Sequence, residues 1–73
     1  MTPKQATTTL NTLFEGHTDS LARAINATSE GVRARDVAEM HITPILADIE
    51  RNAGQQMDPT YIAYLIQYAH TVA

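Results

Sequence analysis

A row of residues with the spacing of a helix that packs along another helix runs through positions 10–28. Its members follow one another at alternating steps of four and three residues: Leu10, Phe14, His17, Leu21, Ala24 and Thr28. This spacing is typical of the contact line between two packed helices, and we call the row the seam. Because one member is a histidine and the last is a threonine, the seam is not wholly apolar. The chain is therefore expected to fold by packing helices against helices.

The first helix is predicted over residues 3–28. Thr2 and Gln5 have the spacing of a capping box, with a proline in the first helical position between them. Four threonines in the next turns are β-branched and lose rotamer freedom in a helix, so a firm helix is expected only from about Leu10. The seam then carries the helix onward. A break near residues 16–17, where a glycine precedes a histidine, is the competing interpretation.

The second helix is predicted over residues 30–53, after a turn at 28–31 in which a threonine or serine caps it. Its apolar residues repeat on one face: Ala34, Ala38, Ile42, Ile45, Leu46, Ile49 and Ala53. Pro44 interrupts this run, because it lacks a backbone donor and crowds the carbonyl of Met40. It either kinks the helix or starts a fresh one that Thr43 caps.

A short last helix is predicted over residues 59–72. Gly54 is suited to end the preceding helix, Asp58 is an N-cap, and Pro59 takes the first helical position. The apolar stripe of this helix contains Tyr61, Ile62, Leu65, Ile66, Ala69 and Val72. Residues 1–73 are thus predicted to form a single all-α domain, an antiparallel hairpin of two long helices plus a short C-terminal helix in a small three-helix bundle.

Size and composition favour support from a second chain. A domain of 73 residues rarely gains more than about 3–5 kcal/mol of net stability from its own core. The chain has no cysteine, so disulfide bonds and thiolate metal sites cannot add to that stability. Self-association, most simply as a homodimer, is therefore expected, and a cysteine-free chain is compatible with a cytoplasmic location.

Two sets of residues are candidate contacts with a partner protein or a second copy. A surface helix needs a single apolar stripe, so a second ridge on the second helix is one candidate: Val37, Met40 and Pro44. Tyrosine is common in interfaces because its ring is apolar while its hydroxyl reaches water, so the row on the last helix is the other: Tyr61, Tyr64 and Tyr68. The structural alternatives are a middle helix that touches two neighbours and an ordinary rim of the core.

The three histidines fall one in each predicted helix, at His17, His41 and His70. Nothing in their spacing brings the imidazoles together, so no metal site is expected. A polar residue within a packing seam can fix the register or the number of chains, and His17 holds such a position. If His17 lies between chains, assembly weakens near about pH 6, where imidazole becomes charged.

Charge and motif content point to a non-enzymatic protein–protein interaction module. The formal net charge is −3, whereas nucleic-acid binders usually carry a basic face. The sequence contains no catalytic motif, no cofactor signature and no apolar run long enough for a membrane span. In size and shape the chain is similar to small adaptors, secretion co-chaperones and phage-encoded inhibitors of host machinery, although no motif assigns it to any of them.

Two other classes of function stay open at this point. One is a nucleic-acid-associated regulatory protein that would use the arginines, which are Arg23, Arg33, Arg35 and Arg51. Steep loss of duplex binding with rising salt would identify that class. The other is a small-ligand binder whose pocket forms at an oligomer interface, and a ligand-dependent rise in melting temperature would identify it.

Overall fold

Five α-helices and two tighter or wider helical turns make up most of residues 1–70, the part of the chain that the computed structural model describes. In chain order they are α1 (Pro3–Leu13), α2 (Thr18–Ser29), α3 (Ala34–Val37), a π-helical turn (Ala38–Ile42), a 3₁₀ turn (Thr43–Ile45), α4 (Leu46–Ala53) and α5 (Pro59–His70). The described residues contain no strand, so the predicted all-α class is confirmed for them. Val72 and the predicted helix end at residue 72 lie outside the described residues.

Helix α1 begins at its predicted capping box. The Thr2 hydroxyl accepts the backbone N–H of Gln5 at 3.1 Å, and the Gln5 side chain accepts the N–H of Thr2 at 2.8 Å. The threonines that follow direct their hydroxyls back onto the helix, as Thr7 does when it donates to the carbonyl of Pro3 at 3.1 Å. The helix is therefore regular from Pro3, and the prediction of a firm helix only from about Leu10 is wrong.

The continuous first helix predicted over residues 3–28 is also wrong. Helix α1 ends at Leu13 and α2 begins at Thr18. Between them Gly16 has a φ of 84°, in the left-handed region that glycine adopts without steric cost. A four-and-three spacing does not reveal such a break, because apolar residues on both sides of it still enter one core: Leu10, Phe14, Leu21 and Ala24.

The turn after α2 comes later than predicted. Thr28 and Ser29 belong to α2 instead of capping the next helix, and the Thr28 hydroxyl donates to the carbonyl of Ala24 at 2.9 Å. Gly31, with a φ of 88°, reverses the chain direction. The next helix starts at Ala34, four residues after the predicted start at residue 30.

The chain around Pro44 stays helical but changes its hydrogen-bonding pattern. Proline has no N–H to donate to the carbonyl four residues back, and its ring crowds that carbonyl. The π-helical turn Ala38–Ile42 precedes Pro44, and the 3₁₀ turn Thr43–Ile45 contains it. Ile45, with φ −119° and ψ 18°, departs from helical angles. The α-helical pattern is thus interrupted here without an intervening loop.

Short-range signals fix the connection between α4 and α5. Gly54 adopts the predicted left-handed conformation, with a φ of 72°, and its N–H bonds the carbonyl of Glu50 at 2.8 Å. The predicted N-cap is confirmed, since the Asp58 carboxylate accepts the N–H of Thr60 at 2.9 Å. The Glu50 carboxylate also accepts the N–H of Met57 at 3.0 Å, which ties the connection to α4.

Helix α5 is the central element of the fold. It packs against α1, α2, α3 and the π-helical turn. Tyr61 lies beside Leu13 while the Tyr68 hydroxyl donates to the carbonyl of Met1, so α1 and α5 run antiparallel. The expected hairpin of two long helices with α5 added to it is not what forms. Shorter helices instead pack against the inward face of α5.

The core of the described residues is entirely apolar. No polar or charged residue is buried in it. The largest fully buried side chains come from every helix except α2: Phe14, Leu10, Ile42, Ile49, Ile62, Ile66 and Val37. Leu21 and Ala24 represent α2 in the same cluster. Among the described helices, none has the length and apolar character needed to cross a membrane.

A broken and a continuous first helix predict opposite effects of replacing Gly16 on the free energy of unfolding. Gly16→Ala is expected to lower the free energy of unfolding by about 1 kcal/mol, because an L residue is strained at this positive φ. In a continuous helix the same change would stabilise the protein by a similar amount. Urea denaturation of the two proteins distinguishes these outcomes.

A chemically synthesised chain with D-alanine at position 16 is the matched control. The D residue accepts a positive φ. An L Cβ added at Gly16 meets no heavy atom within 4 Å, so the cost of the L variant comes from the backbone conformation and not from a clash. The D-alanine chain should therefore be at least as stable as the parent, because its unfolded state has fewer conformations. Destabilisation by both enantiomers would contradict the described turn.

Candidate interaction surface

Three tyrosines form an exposed row along the outer face of α5. Tyr61, Tyr64 and Tyr68 follow at steps of three and four residues, and their exposed fractions are 53%, 57% and 40%. The opposite face of the same helix carries the buried Ile62 and Ile66. Because the inward face fills the core, the tyrosine rings lie on the surface of the folded chain. We call them the tyrosine row.

Tyr61 borders a shallow groove of about 390 Å³ between α1 and the end of α4. Its walls are mainly apolar, with hydroxyl and amide groups from Thr8 and Thr12 on α1 and from Asn52 on α4. Met57 is half-buried at the groove and packs on the core. This end of the tyrosine row therefore offers hydroxyl and amide groups beside an aromatic ring.

Tyr64 borders a second cleft, of about 410 Å³, that the start of α3 forms with α5. Its lining contains Arg33 and Arg35, together with Gln67 one turn beyond Tyr64. Arg33 makes a loose ion pair with Asp36, in which Nε lies 3.5 Å from Oδ2. The sequence analysis missed this cluster, because about thirty residues separate the arginines from the tyrosine and only the packing of α3 on α5 brings them together. We call it the Tyr64 cleft.

The second-helix ridge predicted as a contact is divided by the fold. Val37 is fully buried in the core, so it cannot contact a partner from the folded chain. Met40 is 59% exposed and Pro44 is also exposed. The π-helical turn between Val37 and Met40 takes more residues per turn than an α-helix. Two residues three positions apart therefore no longer share a face.

Met40 borders a third, mainly apolar groove on the side of α2. Ala27 and Val32 line it, with Arg23 and Glu30 as its charged residues. An exposed methionine beside small apolar side chains is an adaptable contact surface, because the thioether chain has several rotatable bonds. The Met40 groove and the tyrosine row are built from different elements of the fold.

The remaining seam position, His17, lies half-buried where α1 gives way to α2. Its Nε2 atom donates to Oδ2 of Asp48 on α4 at 2.7 Å. Arg51 lies 3.0 Å from the other carboxylate oxygen. The hydrogen bond from His17 is the main cause that holds the pKa of Asp48 below its ordinary value. Burial opposes this effect, and the positive charge of Arg51 adds to the lowering. His17 thus has a partner within its own chain.

A second residue of α4 completes this junction. The Asn52 side-chain amide donates to the carbonyl of Leu13 at 3.0 Å and to that of Glu15 at 3.2 Å. Leu13 is the last residue of α1 and Glu15 lies in the turn that follows, so these carbonyls are among those for which the helix supplies no backbone partner. Asp48 and Asn52, four residues apart on α4, together hold the break between α1 and α2. We call this pair the α4 clamp.

The histidines give no metal centre in the described part of the chain. Within residues 1–70, no group of three or more histidine, aspartate or glutamate side chains is arranged to hold a metal ion. His17 is committed to Asp48, and His41 borders the Met40 groove. His70 is exposed at the end of α5.

Comparison with known proteins gives no family for this chain. No protein-family model matches it, and neither a curated protein nor a solved structure matches it. A function is therefore inferred from the side chains that the fold exposes.

The ion pair of Asp48 predicts a specific loss of stability in acid. A carboxyl group whose pKa is lowered by folding stabilises the native state above its ordinary pKa, and this contribution disappears as the pH falls through the lowered value. Asp48→Asn keeps the shape of the side chain but removes its charge. The variant should therefore lose less stability than the parent between about pH 6 and about pH 2.

Urea midpoints measured at both pH values test this expectation. Glu39→Gln removes an exposed carboxylate of the π-helical turn and serves as the control, with an acid response close to that of the parent. An Asp48→Asn protein whose acid response equals that of the Glu39→Gln protein would show that the bond to His17 does not contribute to stability.

Because Val37 is buried and Met40 is exposed, truncating these two residues of the predicted ridge should change the free energy of unfolding by different amounts. Val37→Ala removes two buried methyl groups and should cost about 2 kcal/mol of unfolding free energy. Met40→Ala should change it by less than about 0.5 kcal/mol, since most of that side chain is exposed. Equal costs in urea denaturation would contradict the different placement of the two residues.

Proposed function

We propose that this chain is a small non-enzymatic protein–protein interaction module that self-associates and binds a partner protein through the tyrosine row. The supporting observation is that all three tyrosines of the chain lie on one exposed helix face. Tyrosine gives a large contact area at a small cost in conformational entropy, and it is enriched among the residues that dominate binding energy.

The area of the tyrosine row fits the centre of an interface. A tyrosine side chain offers about 200 Å², so three rings that are roughly half exposed present about 300 Å². A standard interface takes about 800 Å² from each partner. The row would thus supply more than a third of one side. The groove beside Tyr61 and the Tyr64 cleft would add polar surface at its edges.

The Met40 groove is the second contact in this proposal. Met40 is exposed next to Ala27 and Val32, so a partner can cover apolar surface there without disturbing the core. Pro44 is exposed four residues further along the chain. Val37 takes no part, because it is buried. The Met40 groove lies outside the tyrosine row, so a second copy and a partner protein compete for the row while the groove stays available for additional contact.

A homodimer is the simplest assembly under this proposal. A domain of this size has little stability to spare, and an interface adds to it by mass action. A self-associating module that binds another protein would act as an adaptor, a co-chaperone or an inhibitor of that protein, in the cytoplasm. The apolar area of the tyrosine row supports this role, because covering an exposed aromatic face with a partner lowers the free energy of the system.

The triple change Tyr61→Gln, Tyr64→Gln and Tyr68→Gln tests the proposal. Glutamine favours helix and the three positions are exposed, so the fold should be retained, as circular dichroism would verify. Light scattering behind a sizing column should give the parent chain a multiple of 8.0 kDa at high concentration. The triple variant should approach 8.0 kDa under the same conditions.

Met40→Gln is the matched control for this experiment. It changes an exposed apolar residue outside the tyrosine row and should leave the mass of the assembly unchanged. A parent chain that stays at 8.0 kDa over about a hundredfold range of concentration would overturn self-association. An assembly that survives the triple change would overturn the role of the tyrosine row.

A further inference from the structure

The Tyr64 cleft differs in charge from the rest of the molecule. The chain carries eight acidic residues against five lysines and arginines. The cleft nevertheless has two arginines in its lining and no acidic residue. Asp36 is the acidic neighbour, and its Oδ2 atom lies 3.5 Å from Nε of Arg33. An exposed pair at this distance offsets little of the arginine charge.

The groups in the cleft match a carboxylate-bearing peptide. Arginine presents a planar fork of donors that binds a carboxylate through two parallel hydrogen bonds. The Tyr64 ring gives a flat apolar surface beside the two arginines, and the Gln67 amide can both donate and accept. Arginine and tyrosine are also the residue types in which binding energy most often concentrates.

We propose that the Tyr64 cleft binds an acidic segment of a partner protein, with carboxylates on Arg33 and Arg35 and an apolar side chain against Tyr64. The inference rests on the proposed function and adds the chemistry of the partner. Two arginines are few for a nucleic acid, whose affinity comes from neutralising many phosphates. The net charge of −3 would also repel a polyanion. The observations therefore favour a short acidic peptide over a nucleic acid.

The charge contrast also explains how such a partner would find the site. An acidic segment is repelled by most of an acidic protein and attracted where the local charge is positive. Repulsion elsewhere adds to specificity, because wrong placements of the partner are disfavoured. Binding to the cleft should therefore weaken as salt screens the arginines.

Selection from a library of random short peptides displayed on phage tests the inference. The folded chain should enrich peptides that combine aspartate or glutamate with an apolar residue. The best enriched peptide, made synthetically, should bind Arg35→Gln about tenfold or more weakly than the parent. Arg51→Gln removes an exposed arginine of α4 that lines neither the Tyr64 cleft nor the Met40 groove, and this variant should bind like the parent.

The outcomes separate this inference from the proposed function. Binding to a Tyr64→Gln variant shows whether an enriched peptide depends on Tyr64. If such peptides lack acidic residues, or bind Arg35→Gln as tightly as the parent, only the acidic chemistry of the partner is overturned. If the selection enriches no peptide that depends on the tyrosine row, the binding role of that row is overturned as well. Tighter binding of a single-stranded oligothymidylate than of any enriched peptide, lost in Arg35→Gln, overturns the peptide in favour of nucleic acid.

A measurement without any partner tests the local charge. The chain has no tryptophan, so Tyr61→Phe with Tyr68→Phe leaves Tyr64 as its one tyrosine fluorophore. Iodide should quench that emission more strongly than caesium, and adding Arg33→Gln and Arg35→Gln should reduce the difference. Equal quenching by the two ions before the arginines are changed would overturn the positive charge of the cleft.

Discussion

The fold depends on how α4 holds the break between the first two helices. Asp48 accepts the hydrogen bond of His17, while Asn52 donates to the carbonyls at which α1 ends. Without these bonds, polar groups at the end of α1 would have to be satisfied by water. The apolar spacing of the sequence alone does not specify this geometry, because the seam has the same spacing in a straight helix through Gly16.

The arrangement around α5 follows from that break. A straight helix over residues 3–28 would be about 39 Å long at 1.5 Å per residue, whereas the longest dimension of the described molecule is 30 Å. Dividing it at Gly16 gives two helices short enough to pack on different sides of α5. Helix α5 then contributes its inward face to the core and keeps the tyrosine row on the surface.

Local signals were predictable from the sequence, and long-range ones were not. The capping box at Thr2, the left-handed Gly54 and the N-cap Asp58 all act over two to four residues, so residue types and spacing reveal them. The exposed tyrosine row follows from helical periodicity in the same way. The bond from His17 to Asp48 joins residues that are 31 positions apart. Arg33 and Arg35 precede Tyr64 by about thirty residues, and only the packing of α3 on α5 brings them together. The separation of Val37 from Met40 is not visible in the sequence, because the π-helical turn that follows Val37 and contains Met40 has more residues per turn than an α-helix.

Helix α4 makes contacts on both sides, and this bears on how the protein unfolds. Its Asp48 and Asn52 hold the α1–α2 junction, and its Glu50 holds the connection to α5 at Met57. The eight residues of α4 therefore supply hydrogen-bond partners both to the α1–α2 junction and to the connection before α5. If α4 opens, both connections lose their hydrogen-bond partners together. Amide protons in these two distant segments should consequently exchange with solvent at a common rate, set by the opening of a helix to which neither segment belongs.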